Sequence, residues 1–375
     1  MDIGIHRMQI AIIRYEGEIA GTLTTEILDN DQHNWTWESA GSLASRVIEN
    51  NDGEMPNFLL HLSPEGELAR ILEGNAQRDK YINNGMRFLS NVTIAPPECD
   101  GEDFIRDRHV MSIAEAQTDH FFTGEYAGPT GGLHTDFSNA VGHYYQDMMT
   151  PKFSGAQLKL PMCLEHGDNG PRLSVANDKS FTHILKFGPN TYSPRRHIPV
   201  AEWMGLELSE RCGLPTAEKA LIQLPHDGRF VLAVERFDIP HMNEANDVSY
   251  YIQDMANVSS IYPHVDFPQH GKYDTPVEKL AEPLKAVSSD MELDGRALYK
   301  RIVFGYFLRD MDMHLKNLSI LKKVDKNTGD ITINFSPTYD PVPTIIFPED
   351  KNTIGMDPVT GQQIKEDVID GHVSL

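Results

Sequence analysis

The chain has 375 residues, 40% hydrophobic and 23% charged, an ordinary globular composition that predicts folded structure in about two or three units. A formal net charge of −22 opposes a phosphate backbone and argues against autonomous nucleic-acid binding, although it suits a basic protein partner. No apolar run approaches the roughly 18 residues of a membrane helix, charges interrupt the N-terminus too early for a secretory signal, and Cys99, Cys163 and Cys212 are too scattered for a disulfide framework or thiolate zinc site, so a cytoplasmic protein with reduced thiols is expected.

Residues 8–26, MQIAIIRYEGEIAGTLTTE, alternate in a strand-like way around Glu16-Gly17-Glu18, which predicts a β-hairpin opening a small first domain. In 55–73 an apolar run precedes Ser63-Pro64-Glu65-Gly66, where Ser63 can cap a helix and Pro64 fit its first turn. From Pro96 to about Leu133 the chain turns rich in Pro, Gly, Asp and Glu, as suits a linker or long surface insertion. Beyond it the pattern predicts strand, turn and strand over 153–187, a helix over 199–212 and strands over 219–236. Largely helix follows to about Phe307, then a strand pair at 317–322 and 331–335.

Phosphate chemistry is concentrated in a few segments. Phe153-Ser154-Gly155-Ala156-Gln157-Leu158-Lys159-Leu160 sets small residues where backbone amides can approach an anion, with a cation behind them; a structural turn around one glycine reads the same way. Thr182–Phe187 is an apolar strand with Lys186 near its end, where an ammonium can reach nucleotide phosphates or simply extend to water. A lysine in such a role is held by a helix carboxylate. Glu202, expected in the first turn of the 199–212 helix, competes for this with Glu207, and the helix dipole alone would also favour an acid there.

The densest segment is Phe307–Asn317, FLRDMDMHLKN, with an apolar helix before it and a strand after. Asp312 could orient and deprotonate an acceptor hydroxyl and Asn317 could ligate magnesium, although capping and turn roles suit the same residue types. Asp340, in Ser336-Pro337-Thr338-Tyr339-Asp340-Pro341, stands in a sharp turn after the strand pair, where a second metal carboxylate is expected and where an Asp-Pro turn alone would also place one.

In their order and spacing, F-S-G-A-Q-L-K-L, H-I-L-K-F, A-E-W-M-G-L-E-L-S-E-R-C-G-L-P, V-E-R-F-D, D-M-H-L-K-N and S-P-T-Y-D resemble the HipA family of bacterial kinases. M-P-N-F-L-L-H-L-S-P-E-G resembles that family's N-terminal subdomain signature, and the likeness spans roughly residues 8–95 and 135–347. The resemblance implies an α+β, protein-kinase-like bilobal fold, a β-rich N-lobe and a helical C-lobe, preceded by a small β-rich N-terminal subdomain. That subdomain would occupy 1–95, the linker or insertion 96–134, the N-lobe with its hinge 135–238, and a helical C-lobe, shortened at its end, 239–375.

The same resemblance implies ATP and Mg2+ as cofactors, Asp312 as catalytic base, and Asn317 and Asp340 as magnesium ligands. Nucleotide contacts would come from the loop of Ser154, Gly155, Ala156, Gln157 and Lys159, from Lys186 with Glu202 as its partner, and from His314. Backbone groups of Glu235 and Phe237 would face adenine at the hinge, whereas without the family Val234–Asp238 reads as a strand end and Phe237 as core. The implied activity is serine/threonine protein phosphorylation by the toxin of a toxin–antitoxin module, with glutamyl-tRNA synthetase as substrate and a helix-turn-helix antitoxin as partner.

Three features depart from the family pattern. Lys152 stands where an autophosphorylated serine is usual, which leaves Ser154 as the candidate; Asp310 and Met311 replace small or amide residues before Asp312; and 35 residues follow Asp340. These departures keep a second reading open, a catalytically weak or inactive scaffold that binds a DNA-binding antitoxin and acts in repression.

Overall fold

In the computed structural model, which describes residues 5–28, 33–48, 86–98, 105–116, 157, 159–168, 170–176, 180–188, 194–223, 229–261, 277–347, 354–356 and 363–364, the expected hairpin forms from β1 (Ile5–Tyr15) and β2 (Glu18–Leu28). Glu16 and Gly17 take φ values of 53° and 82°, the left-handed pair that fits a two-residue turn to the twist of its strands. With β3 (His33–Ser39), β4 (Met86–Arg87) and β5 (Val92–Ala95) they make a sheet ordered β3-β2-β1-β5-β4. Alternate residues, among them Ile13, Leu23 and Trp37, form its core with Ala44 and Val47 of α1 (Leu43–Ile48). The helix expected at Ser63 lies outside the described residues.

A second antiparallel sheet, ordered β7-β6-β8-β10-β9, consists of β6 (Lys159–Gly167), β7 (Gly170–Val175), β8 (His183–Phe187), β9 (Lys219–Gln223) and β10 (Phe230–Glu235). β10 is apolar at consecutive positions because both of its faces are covered. Val231 and Ala233 join Met111 and Ile113 at α2 (Ile113–Ala116), while Leu232 and Val234 join Leu206 of α3 (Ile198–Arg211).

Residues 105–116 fall in the stretch expected as linker or surface insertion, and they are packed. Asp107 is fully buried, ion-paired with Arg87 and, at 2.7 Å, with Arg236. Arg236 in turn forks onto Asp238 at 2.9 and 2.8 Å, and Ser90 donates its hydroxyl to Asp238 at 2.9 Å. This buried charge network ties the first sheet to the chain leaving β10.

The expectation of largely helix after residue 236 to about Phe307 needs correction. β11 (Val248–Asp254) pairs with β12 (Ser319–Asp325), which pairs with β13 (Ile331–Phe335). Local periodicity hides this strand because its partner is far along the chain, Val248 standing opposite Asp325. Helices α4 (Met255–Val258), α5 (Ala281–Val287) and α6 (Met291–Leu308) pack on the sheet through Met255, Leu284, Leu298 and Ile320. Farther along the same face, Tyr251 and Val324 meet the first core, where the Tyr15 hydroxyl donates to Ser249 at 2.9 Å. A short pair, β14 (Ile354–Met356) and β15 (Gln363–Ile364), follows.

Candidate active site

Antiparallel pairing of β6 with β8 sets Lys159 directly opposite Lys186, so the two side chains share one face of the sheet. Both ammonium groups turn to Asp340, Lys186 in a direct ion pair and Lys159 at 3.8 Å. Lys186 also pairs directly with Glu202. Glu207, the competing acid, pairs instead with Lys219 at 3.2 Å. Because α3 begins at Ile198, Glu202 lies in its second turn and not the first, and its buried, inward position rather than the helix dipole governs its contacts.

The approach of α3 to the turn that carries Asp340 depends on Gly205, one turn beyond Glu202. A Cβ there would stand 1.8 Å from the carbonyl oxygen of Pro341. Asp340 itself takes φ 51°, a left-handed conformation that the surroundings must hold in place for a non-glycine residue. They do so on two sides: Thr338 donates its amide to Pro215 at 2.7 Å, and the Tyr339 hydroxyl donates to the Lys316 carbonyl at 2.7 Å.

The four charges perturb one another strongly. Burial opposes the charge on Lys186, but Asp340 and then Glu202 outweigh it and raise the ammonium well above the ordinary lysine range. Burial likewise opposes ionisation of Asp340, yet Lys186 and Lys159 hold its carboxyl well below the usual carboxylate range. Glu202 is pushed up to about 7, by burial first and by the neighbouring Asp340 charge, with Lys186 acting against the shift. The two carboxylates compete for one ammonium, and Asp340, flanked by a second lysine, is the one held ionised. Lys159 is lowered, by burial and by repulsion from Lys186, with Asp340 partly offsetting both.

The segment 309–317 starts where Arg309, left-handed at φ 59°, caps α6. Asp310 is buried against Arg301 at 3.2 Å, and the Met311 amide donates to the Thr344 hydroxyl at 2.9 Å. Asp312 is exposed. Asn317 donates its side-chain amide to the Asp312 carbonyl at 2.9 Å, which fixes the spacing of the two residues. His314 is buried at the head of the single turn Leu315–Asn317.

Lys159, Lys186, Glu202 and Asp340 therefore form one cluster, and Asp312 and Asn317 one loop, joined to the cluster through Tyr339. Ser154, Gly155 and Ala156 lie outside the described residues, while Gln157 is half-buried and donates to the Phe187 carbonyl at 3.4 Å. At the expected hinge, the Glu235 amide donates to Glu218 at 2.8 Å and the Arg236 amide to Thr182 at 3.0 Å on the opposite side of the strand. The Glu235 side chain turns into a group of histidines, and the Phe237 ring lies 6.0 Å from that of Tyr339. Sequence reasoning missed Tyr339 and Gly205 as positioning residues, although both stand inside the quoted motifs.

The fold and the site define a protein-kinase-like α+β protein. Residues 152–369 match the family model described as the HipA-like C-terminal domain, and the chain belongs to that family. A curated relative from Sinorhizobium fredii (strain NBRC 101917 / NGR234), "Putative kinase Y4dM", is 24% identical over 312 residues, which cover 80% of this chain and 65% of the relative, slightly under two thirds of its length. Among solved structures, a chain of the Shewanella oneidensis MR-1 complex of HipA, HipB and operator DNA is similar over 93% of this chain and 80% of its own length, with TM-score 0.58 and 15% identity. A Helicobacter pylori proinflammatory kinase, CtkA, overlaps 48% of this chain and 56% of its own, with TM-score 0.33 and 17% identity.

Proposed function

We propose that the chain is an ATP- and Mg2+-dependent serine/threonine protein kinase, acting as the toxin of a toxin–antitoxin pair. The observation that carries the reading is the meeting of Lys186, Glu202 and Asp340, from a strand, a helix and a distant turn, in one ion-paired cluster. A lysine–glutamate pair beside a metal-type aspartate is the arrangement phosphoryl transfer requires. The donor set suits Mg2+: Asp340 contributes a carboxylate that is 24% exposed, and Asn317, whose amide nitrogen is committed to the Asp312 carbonyl, contributes a hard oxygen.

When bound, Mg2+ and ATP would supply charge neutralisation and the transferable phosphoryl group. The chain's own residues do the positioning. Lys186, held by Glu202, contacts phosphate; exposed Asp312 aligns an incoming hydroxyl and takes its proton. Adenine would sit past the first residue of β9: the Glu235 amide still bonds Glu218, and the chain then bends away from β10 at Phe237, whose backbone groups would face the base beyond the end of the pairing. His314 would lie close to the phosphates, and Ser154, Gly155, Ala156 and Gln157, with Lys159 behind them, would contact the nucleotide.

An antitoxin partner with a helix-turn-helix fold is supported by the fold shared with the Shewanella complex and by a net charge of −22 that suits a basic protein surface. Glutamyl-tRNA synthetase is the substrate to try first, and Ser154 the site at which to look for self-modification. Purified chain with radiolabelled ATP and Mg2+ should label a synthetase, with the acceptor sites mapped by mass spectrometry. Asp312→Ala should reduce transfer by on the order of 10³-fold with an unchanged circular dichroism spectrum. Full transfer by folded Asp312→Ala protein removes Asp312 from the mechanism, and no transfer by the parent chain on any protein leaves the scaffold reading.

A further inference from the structure

Away from the Lys186 cluster, three residues from separate segments turn ligand-type atoms on one another: His109 from the packed 105–116 segment, Glu235 at the end of β10, and His241 just beyond the hinge. Their ligand atoms all lie within 4.8 Å of one another. Oε1 of Glu235 faces Nδ1 of His109 at 3.7 Å and Nδ1 of His241 at 3.9 Å, both too long for hydrogen bonds. Among the described residues, Nδ1 of His109, whose side chain is 1% exposed, finds no hydrogen-bond partner. A buried polar atom left this way is costly unless a donor or a cation meets it.

The surrounding contacts orient each ligand. Nε2 of His109 lies 2.6 Å from the Arg236 carbonyl, which can only accept, so Nε2 carries the proton and the Nδ1 lone pair points at Glu235. The second oxygen of Glu235 accepts from the Ile113 amide at 3.1 Å and has Nε2 of buried His183 at 3.7 Å, which leaves Oε1 for the shared centre. Arg236 does not compete for Glu235, because its guanidinium is engaged by Asp107 and Asp238. His241, 60% exposed and stacked on His109 at 5.1 Å, can turn without disturbing the core.

We infer that His109, Glu235 and His241 form a binding site for a divalent transition-metal ion of the zinc type, pinning the hinge to the 105–116 segment. Zn2+ takes nitrogen and carboxylate ligands at about 2.0–2.1 Å in tetrahedral array, which sets ligand atoms roughly 3.3–3.4 Å apart. The observed 3.7 and 3.9 Å need contraction by roughly 0.3–0.6 Å, and the histidine pair, within 4.8 Å, by at most about 1.4 Å, which exposed His241 can supply by turning. Two imidazoles and a carboxylate select such an ion over Mg2+, which prefers an all-oxygen shell. The site shares no residue with the Lys186 cluster and does not depend on kinase activity.

The test uses the full chain without a histidine tag, stripped with EDTA and held in excess Mg2+ so that oxygen-rich sites are occupied. Co2+ is titrated while visible absorption is followed, and Zn2+ then displaces it. The parent chain should take up one equivalent with a ligand-field band, and His166→Ala, at an exposed histidine outside the site, should match it. His241→Ala and His241→Asn, checked for folding by circular dichroism, should bind about 100-fold more weakly or not at all, at or beyond the upper end of what even an outer-shell change does. Absence of stoichiometric Co2+ uptake by the parent chain, or unchanged uptake by either folded His241 variant, overturns the site. The readout contains neither ATP nor a protein substrate, so its failure is separate from failure of the kinase reading.

Discussion

Asp310→Asn tests the electrostatics of the segment that positions Asp312. Asp310 follows the left-handed cap of α6 and is buried, with its carboxylate 3.2 Å from Arg301. Its pKa is raised from 3.8 to about 7, by burial first and by the Asp312 charge, with Arg301 acting against the shift. The folded value lies above the unfolded one, so between pH 4 and 7 the native chain holds a proton that the unfolded chain has released. Stability from this group is therefore present at low pH and is lost as pH rises through about 7. The full difference corresponds to about 4 kcal/mol at 1.36 kcal/mol per pH unit, of which about 2 kcal/mol falls between pH 5.5 and 8.5, a range above the isoelectric point of 5.1. Asparagine cannot titrate. Urea unfolding of both proteins at the two pH values should show the parent losing about 2 kcal/mol relative to the variant on going to pH 8.5. A difference constant to within about 0.5 kcal/mol would mean that Arg301 keeps Asp310 ionised throughout and would refute the reasoning.

Gly205→Ala places a methyl 1.8 Å from the Pro341 carbonyl, a backbone atom that can yield only by moving the Asp340 turn. We expect destabilisation of about 1–3 kcal/mol in thermal unfolding together with loss of phosphoryl transfer, whereas helix propensity alone would favour alanine by about 1 kcal/mol; a stabilised, active variant contradicts the contact. Asp107→Ala strands the buried guanidinium of Arg87 and removes one of the partners of Arg236. It should cost about 3–5 kcal/mol in urea unfolding, with Asp107→Asn intermediate, and a loss below about 1 kcal/mol would show that Asp238 and backbone carbonyls suffice for both arginines.

The opening hairpin, α3, β9 and the β12–β13 pair were legible because each is written in a local repeat of two or about 3.6 residues, and β10 as a short apolar run, with turn residues such as Glu16-Gly17 marking the ends. Resemblance in the short motifs likewise pointed to Lys186, Glu202, Asp312, Asn317 and Asp340 without any coordinates. β11 escaped because its pairing is with residues 319–325, and the 105–116 segment because polar composition reads as surface while Asp107 is buried among arginines.

What the sequence determined by itself was the local conformations and the inventory of chemically able side chains. Tertiary structure alone decided their company: Glu202 rather than Glu207 on Lys186, Lys159 beside Lys186, Tyr339 holding the Asp340 turn, and three ligand-type side chains converging at the hinge. Lys186 and Asp340 are 154 residues apart, and no short-range periodicity encodes such a contact. It exists because burying several apolar faces at once leaves few arrangements of the chain, and those arrangements fix which charges must meet.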